Sequence, residues 1–266
     1  MAIMDEKVKF ENNFSNTLVE IAAVTGPSGI GAGRAGDDQL WTASIELIAW
    51  KDINSSEPAV REEVRLQWLV TDEEWEQSKK LLDPYSIIKV KVRQSQTSMM
   101  LVEIVEAHFK EQELETILGE AQKPVYYDDE LLGRFELDKR VKSFDAEKIW
   151  GNYRCHLTFD YDENKENMAS ALRTAQLLFS DQNNWDTRMK KFASCELLEL
   201  ANDWLDNINE EITSDMFTDR ICITNISVYP GGDFTIFFED GDLFLGHTII
   251  VAGNIDGTFE SAEIAG

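Results

Sequence analysis

The final stretch of the chain restricts its fold more than any other. Four runs rich in β-branched and aromatic residues, at 221–228, 234–239, 243–252 and 258–263, are separated by Tyr229-Pro-Gly-Gly-Asp233, Glu239-Asp-Gly-Asp242 and Gly253-Asn-Ile-Asp-Gly257. Gly, Asn and Asp tolerate the positive φ that tight turns demand, so the pattern predicts successive antiparallel hairpins. Upstream, Met168, Ala171, Leu172, Ala175, Leu178 and Phe179 recur at helical spacing, and Met189, Phe192, Ala193, Leu197, Leu200, Ala201 and Trp204 repeat it. Three more strand candidates, 134–137, 144–150 and 152–160, precede these helices. The whole predicts an α+β domain, an antiparallel meander with two helices packed on one face.

The first half is β-rich. Residues 18–24, 42–50, 63–70, 86–93 and 99–108 have strand character, and Thr71-Asp-Glu-Glu74 has the form of a capping box opening a short helix through Leu82, which Asp83-Pro84 stops. A small antiparallel β sheet or barrel with one helix is expected. At 266 residues the chain exceeds a usual single domain, and Pro124 followed by Asp128, Asp129 and Glu130 marks a break. Domains of 1–123 and 124–266 follow.

Charge excludes one class of partner. Fifty acidic residues against 25 basic give a net charge of −25, and 124–266 holds 28 acidic and 12 basic residues. Such a surface repels phosphate backbones, so nucleic acid is not expected, whereas a basic protein is a natural partner. The three cysteines, at 155, 195 and 222, are odd in number and scattered, as in a reducing cytoplasm. The opening Met-Ala-Ile-Met-Asp-Glu-Lys lacks the basic and apolar regions of a secretion signal, and no apolar run nears the ~18 residues of a membrane span. A cytoplasmic location without membrane contact is expected.

Several motifs invite chemical readings. Gly31-Ala-Gly33-Arg-Ala-Gly36 matches a dinucleotide fingerprint, but Asp37, Asp38 and a strand pattern follow where a helix would have to begin, so an inter-strand loop is expected. Asp160-Tyr-Asp162-Glu-Asn164 starts like a calcium loop yet has Lys165 and Ala171 where Gly and Glu belong, which favours helix capping. His247 is placed by alternation on a strand face with Leu245, Ile249 and Val251, and His156 beside Arg154 and Thr158. Asp233 and Asp256 belong to one end of the meander and Asp240 and Asp242 to the other, so the four cannot share an ion. No cofactor or metal is expected.

The segments Tyr229-Pro-Gly-Gly-Asp-Phe234, Phe238-Glu-Asp-Gly-Asp-Leu-Phe-Leu-Gly-His247, Val251-Ala-Gly-Asn-Ile-Asp-Gly257 and Ala262-Glu-Ile-Ala-Gly266, with Gly133-Arg-Phe-Glu-Leu-Asp-Lys-Arg140 ahead of them, resemble a bacterial family, domain-of-unknown-function family 2262. The resemblance covers roughly residues 128 to 266. It implies no activity, cofactor or catalytic residue, and a setting near bacterial toxin–immunity loci.

Two functions from different classes remain. The first is a cytosolic, non-enzymatic interaction protein of immunity type that presents an acidic surface, with Glu239, Asp240, Asp242 and His247 as the binding residues, to a basic protein. The alternative is a metal-dependent hydrolase-like enzyme using Asp240, Asp242 and His247.

Overall fold

The computed structural model describes residues 2–205 and 211–266, and the chain divides into two units, Met1–Lys123 and Pro124–Gly266. In the first unit the elements are α1 (Ala2–Glu11), β1 (Leu18–Thr25), β2 (Gly31–Gly33), β3 (Trp41–Asp52), β4 (Val64–Val70), α2 (Asp72–Ser78), β5 (Ile87–Gln94), β6 (Ser98–Glu106) and α3 (Gln112–Ala121). Alternation on β3 turns Ala43, Ile45 and Leu47 inward, while Ala49, past a register shift against β1, packs with α3; β4 adds Leu66, Trp68 and Val70 to the inner cluster. Strand β1 does not alternate because both its faces are covered. Ile21 and Ala23 join the inner cluster, while Ala22 and Val24 pack with Leu114 and Ile117 of α3.

The strands close on themselves in the order β1-β5-β6-β4-β3, with β3 pairing back to β1 from Ile21↔Asp52 to Val24↔Ala49. Counted along the barrel alone the order is 1-4-5-3-2, with a helix between the third and fourth strands. That is the connectivity of a five-stranded Greek-key barrel of the OB type. One pairing departs from the antiparallel expectation: β4 and β6 run parallel from Arg65–Gln67 against Ser98–Met100. The Thr71 capping box forms as read, with Glu74 N–H donating to Thr71 Oγ1 at 3.2 Å and Thr71 N–H to the Glu74 carboxylate at 2.8 Å. The glycine loop contains only the short β2, laid against Thr42–Ser44, and no helix follows it.

The second unit contains β7 (Tyr126–Asp129), β8 (Gly133–Asp138), β9 (Ser143–Trp150), β10 (Tyr153–Asp160), α4 (Lys165–Ser180), α5 (Gln182–Asp203), α6 (Ser214–Arg220), β11 (Cys222–Val228), β12 (Asp233–Glu239), β13 (Thr248–Asn254) and β14 (Phe259–Ala265). All eight strands form one sheet in chain order. The α+β class holds in both halves. Two antiparallel meanders of four strands meet at one parallel seam, β10 with β11, because the three helices between them carry the chain back to the starting end. The helical faces read from spacing are the buried ones: Met168, Ala171, Leu172, Ala175 and Leu178 on α4, and Met189, Ala193, Leu197 and Ala201 on α5. They cover a sheet face built from Phe144, Leu157, Phe159, Phe234, Ile236 and Val251, among others.

Candidate functional site

Strand β13 starts at Thr248, which pairs with Glu239 at the end of β12. The residues 240–247 therefore form a long connection instead of a tight hairpin, and Leu243 and Leu245 lie outside any strand. Four of its residues take the left-handed conformation: Gly241, Asp242, Leu245 and Gly246, with φ of 56°, 64°, 56° and 90°. The chain can bend this sharply because Asp240 collects the inward-facing amides. Its Oδ2 accepts from Phe244 N–H at 2.6 Å and Gly246 N–H at 3.1 Å, and its Oδ1 from Asp242 N–H at 3.3 Å.

This geometry corrects the expected role of Asp240. A binding residue on an acidic surface must be exposed, but Asp240 is 2% exposed and its carboxylate is occupied by the backbone of its own loop. Glu239 and Asp242 do face solvent. The pinned loop drives Leu243 and Phe244 into the core, while Leu245 is left 84% exposed. Strand parity thus misplaced Leu245, because parity does not extend through left-handed residues.

His247 is half-buried. Its Nδ1 lies 2.6 Å from Phe244 O, and since a carbonyl only accepts, Nδ1 carries the proton and donates. The ring meets Trp204 edge-on at 5.4 Å, and Trp204 meets Phe244 at 5.6 Å. Asp240 and His247 are thus brought into one loop, but the Asp240 carboxylate and His247 Nδ1 are both spent on that loop's backbone. Among the described residues no three of His, Cys, Asp and Glu converge as ion ligands.

The other sequence candidates resolve locally. Asn164 caps α4 through Glu166 N–H, and Asp162 accepts from Asn164 N–H and Asn167 Nδ2, which holds its carboxyl below the ordinary range. His156 stands 3.0 Å from both carboxylate oxygens of Asp145, a cross-strand partner that linear spacing did not reveal, and the pair is exposed. Cys155 is buried among apolar residues and its thiol is pushed up to about 11, so it is not a nucleophile at neutral pH.

What reading individual motifs missed is a charge boundary inside the second unit. From Phe192 to Gly266 the sequence holds 15 acidic residues and a single basic one, Arg220. The cations upstream pair near their own strands: Arg134 with Asp128 at 2.8 Å, Arg140 with Asp138 at 2.6 Å and Arg154 with Glu147 at 3.1 Å. Asp215 and Asp219 of α6 are exposed and share a cleft with Lys190 and Lys191 of α5. The 240–247 loop lies against the end of that helix, since a Cβ on Gly241 would sit 2.6 Å from Arg220 O. Glu239, Asp242, Asp215 and Asp219 therefore belong to one end of the sheet. Counting charges beyond Lys191 would have found them.

No curated protein and no solved structure matches the chain. A model described only as a domain of unknown function (DUF7021) matches residues 6–121. A second, described as an uncharacterized protein conserved in bacteria (DUF2262), matches residues 129–264, the stretch that carries the meander, the helices and the Asp240 loop. Having half of its length within that second model, the chain belongs to the DUF2262 family.

Proposed function

We propose that this protein is a cytosolic, non-enzymatic interaction protein of immunity type, whose C-terminal unit docks a basic protein through the acidic end of its sheet. The observation that carries the reading is the ratio of 15 acidic residues to one basic residue between Phe192 and Gly266. A net excess of exposed carboxylates raises the encounter rate with an oppositely charged partner. Glu239, Asp242, Asp215 and Asp219 supply the docking charges, with His247 beside them, and Asp240 holds the loop that presents Asp242. The hydrolase alternative is disfavoured, because the carboxylate it needs from Asp240 already accepts three backbone N–H groups.

The test is kinetic. A partner captured from the native host and purified is mixed with the protein in stopped flow at rising ionic strength. Association should slow steeply as the Debye length falls from ~30 Å at 0.01 M to ~8 Å at 0.15 M salt, with dissociation changing far less. The double substitution Asp219→Lys and Asp242→Lys should slow association further at low salt without lowering the melting temperature. An association rate indifferent to both salt and the double substitution would leave the charge as a solvated surface only.

A further inference from the structure

On the barrel of the first unit a cleft of about 780 Å³ opens between α1, strands β3 and β4 and the β5–β6 hairpin. That volume lies within the ~300–1,000 Å³ of small-molecule sites. None of its eleven lining residues is charged, in a chain where 28% of residues are Asp, Glu, Lys or Arg. Phe10 and Phe14 form an aromatic wall, their ring centroids 5.2 Å apart and tilted by 56°. Facing them are amides and hydroxyls, among them Gln67 of β4, Gln94 of β5, Thr42 of β3 and Gln96 in the hairpin.

The neutrality is built. Arg93, beside this wall, donates from Nε to Ser15 O at 2.6 Å, and from its Nη atoms to Glu11 O at 3.2 Å, Asn16 Oδ1 at 3.1 Å and the Glu11 carboxylate at 3.3 Å. Its charge is spent on fastening the end of α1, and so the two phenylalanines, to the barrel. The hairpin is fastened too: Ser95 Oγ lies 3.0 Å from Ser98 Oγ and accepts from Ser98 N–H at 3.1 Å. The amides of Gln67 and Gln94, in contrast, are half-buried and have no hydrogen-bond partner among the described residues. Beside Gln67, Trp68 holds the single buried side-chain donor left unpaired among those residues, and it lines a second cleft of about 290 Å³ that shares Phe10. A buried donor such as that of Trp68 ordinarily finds a partner, whereas the two glutamine amides still reach water and are open to a ligand.

A ligand that satisfies this lining must offer donors and acceptors together, carry no charge, and present an apolar face to the rings. Hydroxyl-rich sugar rings do all three. The outer face of the second and third strands, with the loop joining the fourth and fifth, is also where OB-type barrels hold oligonucleotides and oligosaccharides. The larger cleft has no cation among its lining residues, and Lys7 in the smaller one stands beside Glu11; this decides between these, since a phosphate backbone needs several Lys or Arg to replace its counterions. We propose that this cleft binds an uncharged oligosaccharide, stacked on Phe10 and hydrogen-bonded by Gln67, Gln94 and Gln96. The proposal stands independently of the acidic docking surface.

The test is an NMR titration of the full-length chain, with side-chain amide signals as the readout. The probes are maltotriose, cellotriose and chitotriose, with trigalacturonate and hexathymidylate as anionic comparisons. At least one neutral trisaccharide should shift the Gln67 and Gln94 amides with a Kd on the order of 0.1–1 mM, an open cleft giving weak binding. Gln67→Ala should weaken that binding about tenfold, the worth of one buried hydrogen bond, at an unchanged melting temperature. Phe10→Ala should weaken it similarly, and the exposed Gln96→Ala serves if α1 detaches. Asp219→Lys with Asp242→Lys should leave it unaltered. No shift with any neutral trisaccharide at about 10 mM, shifts that survive all three cleft substitutions, or preferential binding of either anionic probe would overturn the proposal.

Discussion

Replacing Asp240 by Ala removes the acceptor for three backbone donors at once. The Phe244 N–H is buried and bonded at 2.6 Å, so stranding it costs about 2–3 kcal/mol; the Gly246 N–H is partly buried at 3.1 Å and adds about 1 kcal/mol. The Asp242 contact is partly buried but long, at 3.3 Å, and contributes little. The expected loss is about 3–4 kcal/mol, or roughly 10 °C in melting temperature for a unit of this size. Asp240→Asn should cost less, about 1–2 kcal/mol, because its amide oxygen can still serve Phe244 and Gly246 while the charge is lost. Asp242→Asn should fall within about 0.5 kcal/mol of the parent, since the side chain is exposed and Asn tolerates the left-handed φ of 64°. Urea unfolding followed together with hydrogen exchange at the Phe244 and Gly246 amides makes the comparison. If Asp240→Ala lies within about 1 kcal/mol of the parent and both amides keep their protection, the carboxylate does not organise the loop.

Two further outcomes follow from neighbouring features. Gly241→Ala places a Cβ 2.6 Å from Arg220 O at a φ of +56° and should cost about 3 kcal/mol, whereas Gly231→Ala, at +87° with open space around it, should cost only the ~1 kcal/mol of the backbone conformation; the difference in urea midpoint measures the packing term. Iodoacetamide at pH 8 should label the exposed Cys195 while Cys155 reacts only in denaturant; because the folded Cys155 thiol lies at about 11 against ~8.5 unfolded, its contribution to stability is whole below ~8.5 and disappears as pH rises towards 11, and Cys155→Ala should flatten that alkaline limb.

Much of the second unit was legible because its signals are local. The spacing of Met168 to Leu178 names a face, and that face is buried whatever it packs on. Thr71 and Glu74 likewise cap their helix within four residues. What escaped depends on partners distant in sequence or on backbone geometry. Helix α1 keeps Ile3, Met4 and Val8 exposed, so it shows no apolar stripe; it is placed by Glu6, which accepts from Gln39 and Leu40 N–H. Helix α3 had a readable stripe in Leu114, Ile117 and Leu118, masked by its position beside the expected linker. Asp-Gly-Asp before Leu-Phe-Leu reads as turn then strand, and only the capture of the 244 and 246 amides by Asp240 makes it a loop. The neutral cleft draws its walls from four separate segments, and no linear pattern announces it.

The parallel seam between β10 and β11 has a consequence for how the second unit assembles. Each four-stranded meander can zip up through neighbouring hairpins, but Thr158 and Ser227, which touch at 2.9 Å across the seam, are 69 residues apart. Closing a loop of that length carries about 4 kcal/mol of length-dependent entropy, which no local contact returns. Until α4, α5 and α6 have folded back, β10 and β11 are both unpaired edges flanked by apolar side chains, open to the same edges on other copies. The seam is therefore the slow step and the vulnerable one: substitutions that weaken the helical crossover should raise losses to aggregation during refolding out of proportion to their effect on the finished fold.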